Sequence, residues 1–294
     1  LCGDEKQLPP VIGGAEWCVG DTGADAAMSR IIESDALFFI AGGTRMELSL
    51  NRRGVSEFAT LFMQPQLRFS IDPNQFKMRT LTRTNVAQSH GTRRQVVDIC
   101  LEAKRPFVDI ICEFKALTGI HQKDKSQDVF IFEGMPLVSH KNLNSVIKNA
   151  RRFEVLKLVD QDEGSFVAVR WCKVRGQTEG DDCTGMIDEE DGCTEEEDDS
   201  TVEETQDPLV YLCPVQHFQK VFWPGYCLTI HASQGSSCNE KYTIWDWGSR
   251  ITTQRHRYVA LSRGRNAEQV QIGPPKVQVG PGMWEVKLPM GCAI

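Results

Sequence analysis

The sequence predicts an α/β protein organised on a largely parallel sheet, and three features carry that expectation. From Thr80 to Cys112 a strand-like run (Thr80 to Asn85), a segment with Val97, Cys100 and Leu101 at helical spacing, and a second apolar run (Phe107 to Cys112) alternate. From Leu228 to Arg265 a short apolar lead-in feeds a polar loop closed by Gly235. An apolar run, Tyr242 to Trp247, and a helix-compatible segment ending in two arginines follow. Strand-to-loop-to-helix edges of that kind are where α/β sheets meet their ligands. Between the two, from Asp128 to Val174, helical periodicity fades into short β-type runs, which predicts a small antiparallel module.

Taken in order, the chain opens on Gly3-Asp4-Glu5-Lys6-Gln7-Leu8-Pro9-Pro10-Val11, a stiff polar loop, because proline fixes φ and cannot pair in a central strand. Ala24 to Ile32 is a short Ala-rich helix candidate, and Leu37 to Ile40 reads as a buried strand bounded by Ser-Asp and Gly-Gly. Val55, Phe58, Ala59 and Phe62 then form one apolar helical face. Val129 to Phe132, Met135 to Ser139, Phe153 to Val159 and Ser165 to Val174 are the β-type runs, the last two joined by a hairpin-like turn at 160–164. Lys141, Lys148, Arg151 and Arg152 cluster there, as a phosphate contact or as a solvated face. Leu209 to Val215 and Gln269 to Ile272 are further strands, and the Gly/Pro-rich tail from Gly273 is expected to be extended. Trp223, Trp245 and Trp247 have apolar neighbours and are expected in the core rather than stacked on bases.

The 294 residues suffice for two domains, and 40% apolar with 25% charged residues is ordinary for a globular protein. The net charge of −7 misleads. Between Glu179 and Asp207 stand 15 acidic residues and no Lys or Arg, and outside that stretch 25 acids face 33 bases. A body with that excess suits an anionic partner. The acidic stretch is too poor in apolar residues to offset its chain entropy, so a disordered surface insertion is expected, without EF-hand spacing. The 11 cysteines show neither CxxC nor zinc spacing, and their odd number predicts reduced thiols in an intracellular protein, nuclear or cytoplasmic. No apolar run approaches the roughly 20 residues needed to cross a bilayer. The opening Leu-Cys-Gly-Asp, without Met, reads as the interior of a longer chain.

Two signatures stand out in the central stretch: Thr229-Ile230-His231-Ala232-Ser233-Gln234-Gly235 and Tyr258-Val259-Ala260-Leu261-Ser262-Arg263-Gly264-Arg265, with Arg263 lying 28 residues after Gly235. They resemble motifs V and VI of superfamily 1 helicases of the RecD-like and petite-integration-frequency (PIF) type. The opening GDxxQLPP string resembles motif III of that family, and Leu48, Asn51 and Arg53 fit the LxxNxR of motif IV. Thr84-Asn85 resembles an architectural TN step, and Gly134-Met135-Pro136 with Lys141, Asn142 and Asn149 resembles the GxP…KN…N stretch of the PIF-type enzymes.

The resemblance implies a RecA-like P-loop NTPase second lobe with a small inserted β (SH3-like) module and the trailing edge of the first lobe. On it, 1–43 is the remnant of the first lobe, 44–133 the first part of the second lobe, and 134–178 the insert. Residues 179–207 are the acidic loop, 208–272 the rest of the second lobe and 273–294 a tail. The function implied is the C-terminal half of an ATP-dependent 5′-to-3′ DNA helicase, using ATP and Mg²⁺ on single-stranded DNA. Gln7 would sense the γ-phosphate, and Arg53 and Arg263 would reach it from the second lobe, all three facing one cleft. Gly3, Asp4, Gly235 and Arg265 would also lie at the nucleotide. An arginine supplied from a facing lobe is generally worth about 10³–10⁵ in rate, although an arginine also suits a helix C-terminus for dipole reasons alone. Thr229, His231, Ser233 and Gln234, with Lys141 and Asn142, would meet the nucleic-acid backbone; a satisfied core histidine is the other reading of His231.

No GxxxxGK[ST] occurs in the sequence, so these residues offer sensor, finger and strand-gripping parts without a phosphate-cradling loop, and the Mg²⁺ ligands are expected upstream. Hydrolysis by these residues alone is therefore not expected. Two alternatives stand beside this reading: a viral-type superfamily 1 RNA helicase, and a non-catalytic nucleic-acid-binding remnant.

Overall fold

The computed structural model describes residues 39, 58, 60–61, 71–117, 127–144, 146–161, 164–172, 210–234 and 236–293. The chain divides into two compact units, Leu1–Ala103 with Tyr226–Ile294, and Lys104–Gly225. In chain order the strands are β1 (Thr84–Ala87), β2 (Cys112–Phe114), β3 (Val129–Ile131), β4 (Pro136–Ser139), β5 (Arg152–Gln161), β6 (Gly164–Trp171) and β7 (Val210–Pro214). They continue with β8 (Phe222–Pro224), β9 (Cys227–Thr229), β10 (Tyr242–Ile244), β11 (Val270–Ile272), β12 (Val277–Gly280) and β13 (Met283–Glu285). The α-helices are α1 (His90–Lys104), α2 (Phe218–Val221) and α3 (Gln254–Leu261).

In the first unit a four-stranded sheet runs in the order β11-β10-β1-β9, and every pairing in it is parallel. Strands covered on both faces bury nearly every side chain: Val86, Ala87, Tyr242, Ile244, Val270 and Ile272 are buried, and so are the polar Asn85, Thr243 and Gln271 among them. Helix α1 buries Val96, Val97, Cys100 and Leu101 along one face, and Ser89 Oγ caps its start by accepting the Thr92 amide at 3.1 Å. Helix α3 starts with a capping box, the Thr253 amide donating to His256 Nδ1 at 3.2 Å while Thr253 Oγ1 accepts the His256 amide at 3.4 Å.

One polar side chain ties the middle of this sheet together. Asn85, fully buried, donates from Nδ2 to the carbonyls of Thr82 and Tyr226, both at 2.9 Å. Its Oδ1 accepts the Trp245 indole N–H at 3.0 Å and lies 3.2 Å from the Thr82 hydroxyl. The TN step is thus an architectural hub joining β1 to the chain before β9 and after β10. Trp245 in turn lies over Gly273, where a Cβ would come within 2.4 Å of the indole.

In the second unit a five-stranded sheet has the order β7-β6-β5-β4-β8 with all pairs antiparallel, and β2 pairs with β3 separately. The β5–β6 hairpin is the one expected around 160–164, with Gln161 paired to Gly164 and a register shift between Val155 and Lys157. The sheet draws strands from outside 134–178: β7 and β8 lie in a segment whose apolar runs, read alone, are indistinguishable from strands of the parallel sheet.

Three local expectations change. The run 107–112 is not one strand; Arg105–Phe107 forms a 3-10 turn and β2 begins at Cys112, leaving Phe107 exposed. Phe39 is helical and exposed rather than part of a buried strand, since a four-residue apolar run fits either element. The tail is not simply extended: β12 and β13 form an antiparallel ribbon, and Val286 beyond it is buried. Trp245 and Trp247 are buried as expected, while Trp223 is half-buried and stacks on His140 with ring centroids 4.2 Å apart. The acidic stretch lies outside the described residues.

Replacing Asn85 with Ala leaves the Tyr226 carbonyl and the Trp245 N–H without a partner, and is expected to cost about 2–4 kcal/mol of stability. Trp245→Phe removes one of those bonds and should cost less, about 1–3 kcal/mol. Urea denaturation measures both, and an Asn85→Ala loss smaller than that of Trp245→Phe would contradict the hub.

Candidate nucleic-acid and phosphate site

The carboxyl ends of β1 and β9 lead into Gln88 and Ser89 on one side and into the turn 229–236 on the other. That turn is built from its own polar groups. The Ser233 amide donates to the Thr229 carbonyl at 3.0 Å, the Gln234 amide to that of His231 at 3.1 Å, and the Ser236 amide to that of Ser233 at 3.1 Å. Thr229 Oγ1 accepts the Ala232 amide at 3.2 Å, and the buried Ser233 hydroxyl donates to the Ile230 carbonyl at 2.8 Å. These hydroxyls shape the loop from within. Gln234 is exposed on it and His231 is half-exposed; Gly235 lies outside the described residues.

Arg263 closes the loop. It follows Ser262, the C-cap of α3, and its side chain is 1% exposed. Nε donates to the Val259 carbonyl at 2.9 Å, Nη1 to those of Ser236 at 2.8 Å and Ser233 at 3.3 Å, and Nη2 to the Ser262 hydroxyl at 2.9 Å. The Arg263 carbonyl accepts the Cys238 amide at 2.8 Å, so loop and helix end are joined in both directions. Gly264 permits this close fit, since a Cβ there would sit 3.0 Å from the Tyr242 ring, whose hydroxyl accepts the Gly264 amide at 3.1 Å. The finger position expected from sequence therefore has its guanidinium inside the unit. Arg265, by contrast, is exposed, and among the described residues no hydrogen bond or ion pair reaches its guanidinium.

His231 meets His256 of α3 edge to face, with ring centroids 5.1 Å apart. Burial holds the His231 pKa below its ordinary 6.5, which favours the neutral imidazole. His256 was not singled out from sequence, although its place at the third residue of a helix after Thr253 is the signal of a capping box. Gln88 lies 3.0 Å from its Nε2. Arg257 was missed as well; it is buried and holds the Trp247 carbonyl through Nη2 at 2.7 Å and Nε at 3.1 Å. Buried Arg93 has its pKa lowered to about 10, chiefly by desolvation, and stays charged at neutral pH. At the end of β10, Asp246 takes a left-handed φ of 61° and pairs with Lys276 at 3.4 Å.

The structure thus brings Thr229, His231, Ser233, Gln234 and Arg263 together, with Arg265 beside them in sequence. Lys141 and Asn142 belong to the other unit: Lys141 is exposed, and Asn142 Oδ1 accepts the Asn149 amide at 2.7 Å, shaping its loop. Gly3, Asp4, Gln7 and Arg53 lie outside the described residues. Among the described residues no group of three or more His, Cys, Asp or Glu could hold a metal ion, and no helix is long and apolar enough to cross a membrane.

A parallel sheet with a hydrogen-bonded polar loop and arginines at its carboxyl edge, accompanied by antiparallel sheets, defines an α/β protein. No protein-family model matches the sequence, and no curated protein matches it. The fold has counterparts among solved structures. Over 92% of its length the chain is similar to the crystal structure of Pif1 helicase from Candida albicans, at TM-score 0.50 and 16% identity, covering 63% of that chain. It is similar in the same measure, TM-score 0.50 and 17% identity over 92% of its length, to Bacteroides Pif1 bound to ssDNA, covering 60% of that chain. The chain spans less than two thirds of the length of either structure, and at these identities the likeness is one of fold.

Arg263→Ala removes one donor each from the Ser233, Ser236 and Val259 carbonyls, of which Ser233 keeps the Ser236 amide and hydroxyl and Val259 the Ser262 hydroxyl. It is expected to cost about 2–4 kcal/mol in urea denaturation. The exposed neighbour substituted alike, Arg265→Ala, should stay within about 0.5 kcal/mol of the parent. For His231 the folded pKa is the lower one, so the unfolded chain takes up its proton first as pH falls. Its contribution to stability is present above about 6.5 and is lost on acidification through the folded value. His231→Asn should accordingly flatten the fall in Tm below pH 6.5, and an unchanged pH profile would contradict the assignment.

Proposed function

We propose that this chain forms a RecA-like second motor lobe, with an SH3-like insert, of an ATP-dependent 5′-to-3′ DNA helicase. The observation that carries the reading is the Arg263 bridge, which makes the helix-end arginine and the turn 229–236 one hydrogen-bonded piece at the carboxyl edge of a parallel sheet. The fold likeness to the two Pif1 structures, one of them bound to ssDNA, supports it. In the first unit His231 and Gln234 contact nucleic-acid phosphates, with Thr229 and Ser233 holding the turn in shape; in the second unit Lys141 is a phosphate contact by itself, on a loop that Asn142 shapes.

The arginines fit a nucleotide phosphate in two different ways. Arg265 offers an exposed guanidinium directly. Arg263 can reach a phosphate only by releasing the carbonyls of Ser233 and Ser236. Phosphate capture by Arg263 would therefore loosen the turn, and the coupling of the two sites equals the difference in Arg263 bonding between the two states. Gln7 and Arg53 act with it on the γ-phosphate, and Gly3, Asp4 and Gly235 line the same nucleotide. Bound ATP with Mg²⁺ supplies a phosphoryl group whose transfer spreads negative charge that guanidinium groups stabilise. Hydrolysis requires, in addition, a phosphate-cradling loop, which this sequence lacks.

The test is binding of the 294-residue chain to a labelled oligodeoxythymidine of roughly 20 nucleotides, followed by anisotropy. Affinity should fall steeply with salt, and His231→Ala should weaken it roughly 5- to 10-fold. Tighter binding of an RNA of the same length would move the reading to an RNA helicase. Absence of binding at low salt would refute it.

A further inference from the structure

Within the second unit, strand register sets three side chains in a row on one face of the five-stranded sheet. Trp223 of β8 stands opposite Val138 of β4, and Val138 stands opposite Arg152 of β5. The other face is the core side, where Leu137, Phe153 and Phe222 are buried. Two residues along from Arg152, Glu154 pairs with Arg170 at 3.3 Å, and both are partly exposed. The Trp223 face is therefore the one turned to solvent. Trp223 and Arg152 are half-buried on it, and Val138 between them is buried. Strands two places apart lie about 9–10 Å from one another, so the indole and the guanidinium are within reach of one nucleotide and its neighbouring phosphate.

The indole is already one layer of a stack. The His140 ring lies on it with centroids 4.2 Å apart and planes 19° apart. The His140 amide donates to the Val221 carbonyl at 3.0 Å, and its Nε2 lies 3.3 Å from the Gln219 carbonyl, which fixes the ring. At the other end of the row the charge of Arg152 is unspent: among the described residues no hydrogen bond or ion pair reaches its guanidinium. The surrounding segment, 134–153, holds four Lys and Arg and no Asp or Glu, with Lys141 next to His140. The turn that carries the chain from His140 back to Arg152 is ordered in advance. Asn144 Oδ1 accepts the Val146 and Ile147 amides at 2.9 and 2.7 Å, and Arg151 Nη1 donates to the Val146 carbonyl at 2.9 Å. Ala150 holds a left-handed φ of 66°, a conformation that costs a residue with a side chain and that binding loops retain. A surface ordered before binding loses little entropy when its ligand arrives.

We propose that this face is a stacking platform for single-stranded nucleic acid, on which an unpaired base continues the Trp223–His140 stack and a phosphate of the same strand pairs with Arg152. Aromatic faces accept any base, and the guanidinium fork matches phosphate oxygens. The inference rests on the nucleic-acid reading above and adds to it a contact made through bases.

The test compares an oligodeoxythymidine of roughly 20 nucleotides with an abasic deoxyribose-phosphate oligomer of the same length, both followed by anisotropy. The parent chain should prefer the strand that carries bases. Trp223→Leu, which keeps an apolar side chain beside Val138 but no π face, should cut that preference at least about fivefold and leave abasic affinity nearly unchanged. Trp223→Phe should restore part of the preference. Arg152→Gln should lower the slope of log affinity against log salt by about 0.7, the value of one phosphate contact on a single strand. A Trp223→Leu variant that weakens both strands alike, or that keeps the full preference for bases, overturns the platform, as does an Arg152→Gln slope equal to the parent's. Those results leave the proposed function standing wherever the parent binds. A parent that binds neither strand at low salt removes both.

Discussion

A guanidinium buried at 1% exposure has to satisfy its donors inside the protein, and Arg263 does so with the carbonyls of Val259, Ser233 and Ser236 and the hydroxyl of Ser262. That requirement fixes more than one side chain. The turn 229–236 must present its carbonyls to the end of α3, and the helix must end where it does for the guanidinium to reach them. A side chain at Gly264 would press on Tyr242, its Cβ 3.0 Å from the ring. The edge of the sheet is therefore a single polar assembly, and what happens at its arginine is felt in its loop.

The sheet beneath supplies the rigidity that makes such coupling useful. Asn85 links three stretches of chain through one buried amide, and Trp245 passes that constraint on to Gly273. Polar hubs of this kind specify register, because an apolar residue in place of Asn85 would leave the Tyr226 carbonyl and the Trp245 N–H unmatched. The inserted unit needs no such hub. Its strands are antiparallel and, apart from the long-range pair β4–β8, each joins the next strand in sequence, so most of the register follows from consecutive pairing and alternating burial.

Much of this was legible in the sequence where local chemistry decides the outcome. Val97, Cys100 and Leu101 announced α1, the run after Phe153 announced the β5–β6 hairpin, and Tyr242 to Trp247 announced a buried strand. Legibility ended where partners are distant. Nothing local to Val210 or Phe222 tells which of two sheets they join. In VQVGPGMWE the signal was present and the expectation of extended chain passed over it: Pro281-Gly282 is a turn dipeptide, and Gly282 takes the left-handed φ of 70° that the ribbon's turn needs. The site divided in the same way. Spacing pointed to His231, Ser233 and Arg263 as one constellation, but a motif string carries no direction for a side chain, so the inward course of Arg263 was invisible. His256 and Gln88 stayed hidden because their contacts, His256 with His231 and Gln88 with His256, join residues far apart in sequence.

The measurement that bears most directly on the Arg263 bridge is amide hydrogen exchange across 229–238, compared between the parent chain and Arg263→Gln. A glutamine amide has neither the reach nor the number of donors to hold the Ser233 and Ser236 carbonyls together with that of Val259. The account predicts that the amides of Ser233, Gln234 and Ser236 lose protection in the variant, while those of β1 and β10 keep theirs. Unchanged protection of that turn would contradict it, since the loop would then hold its shape without the arginine.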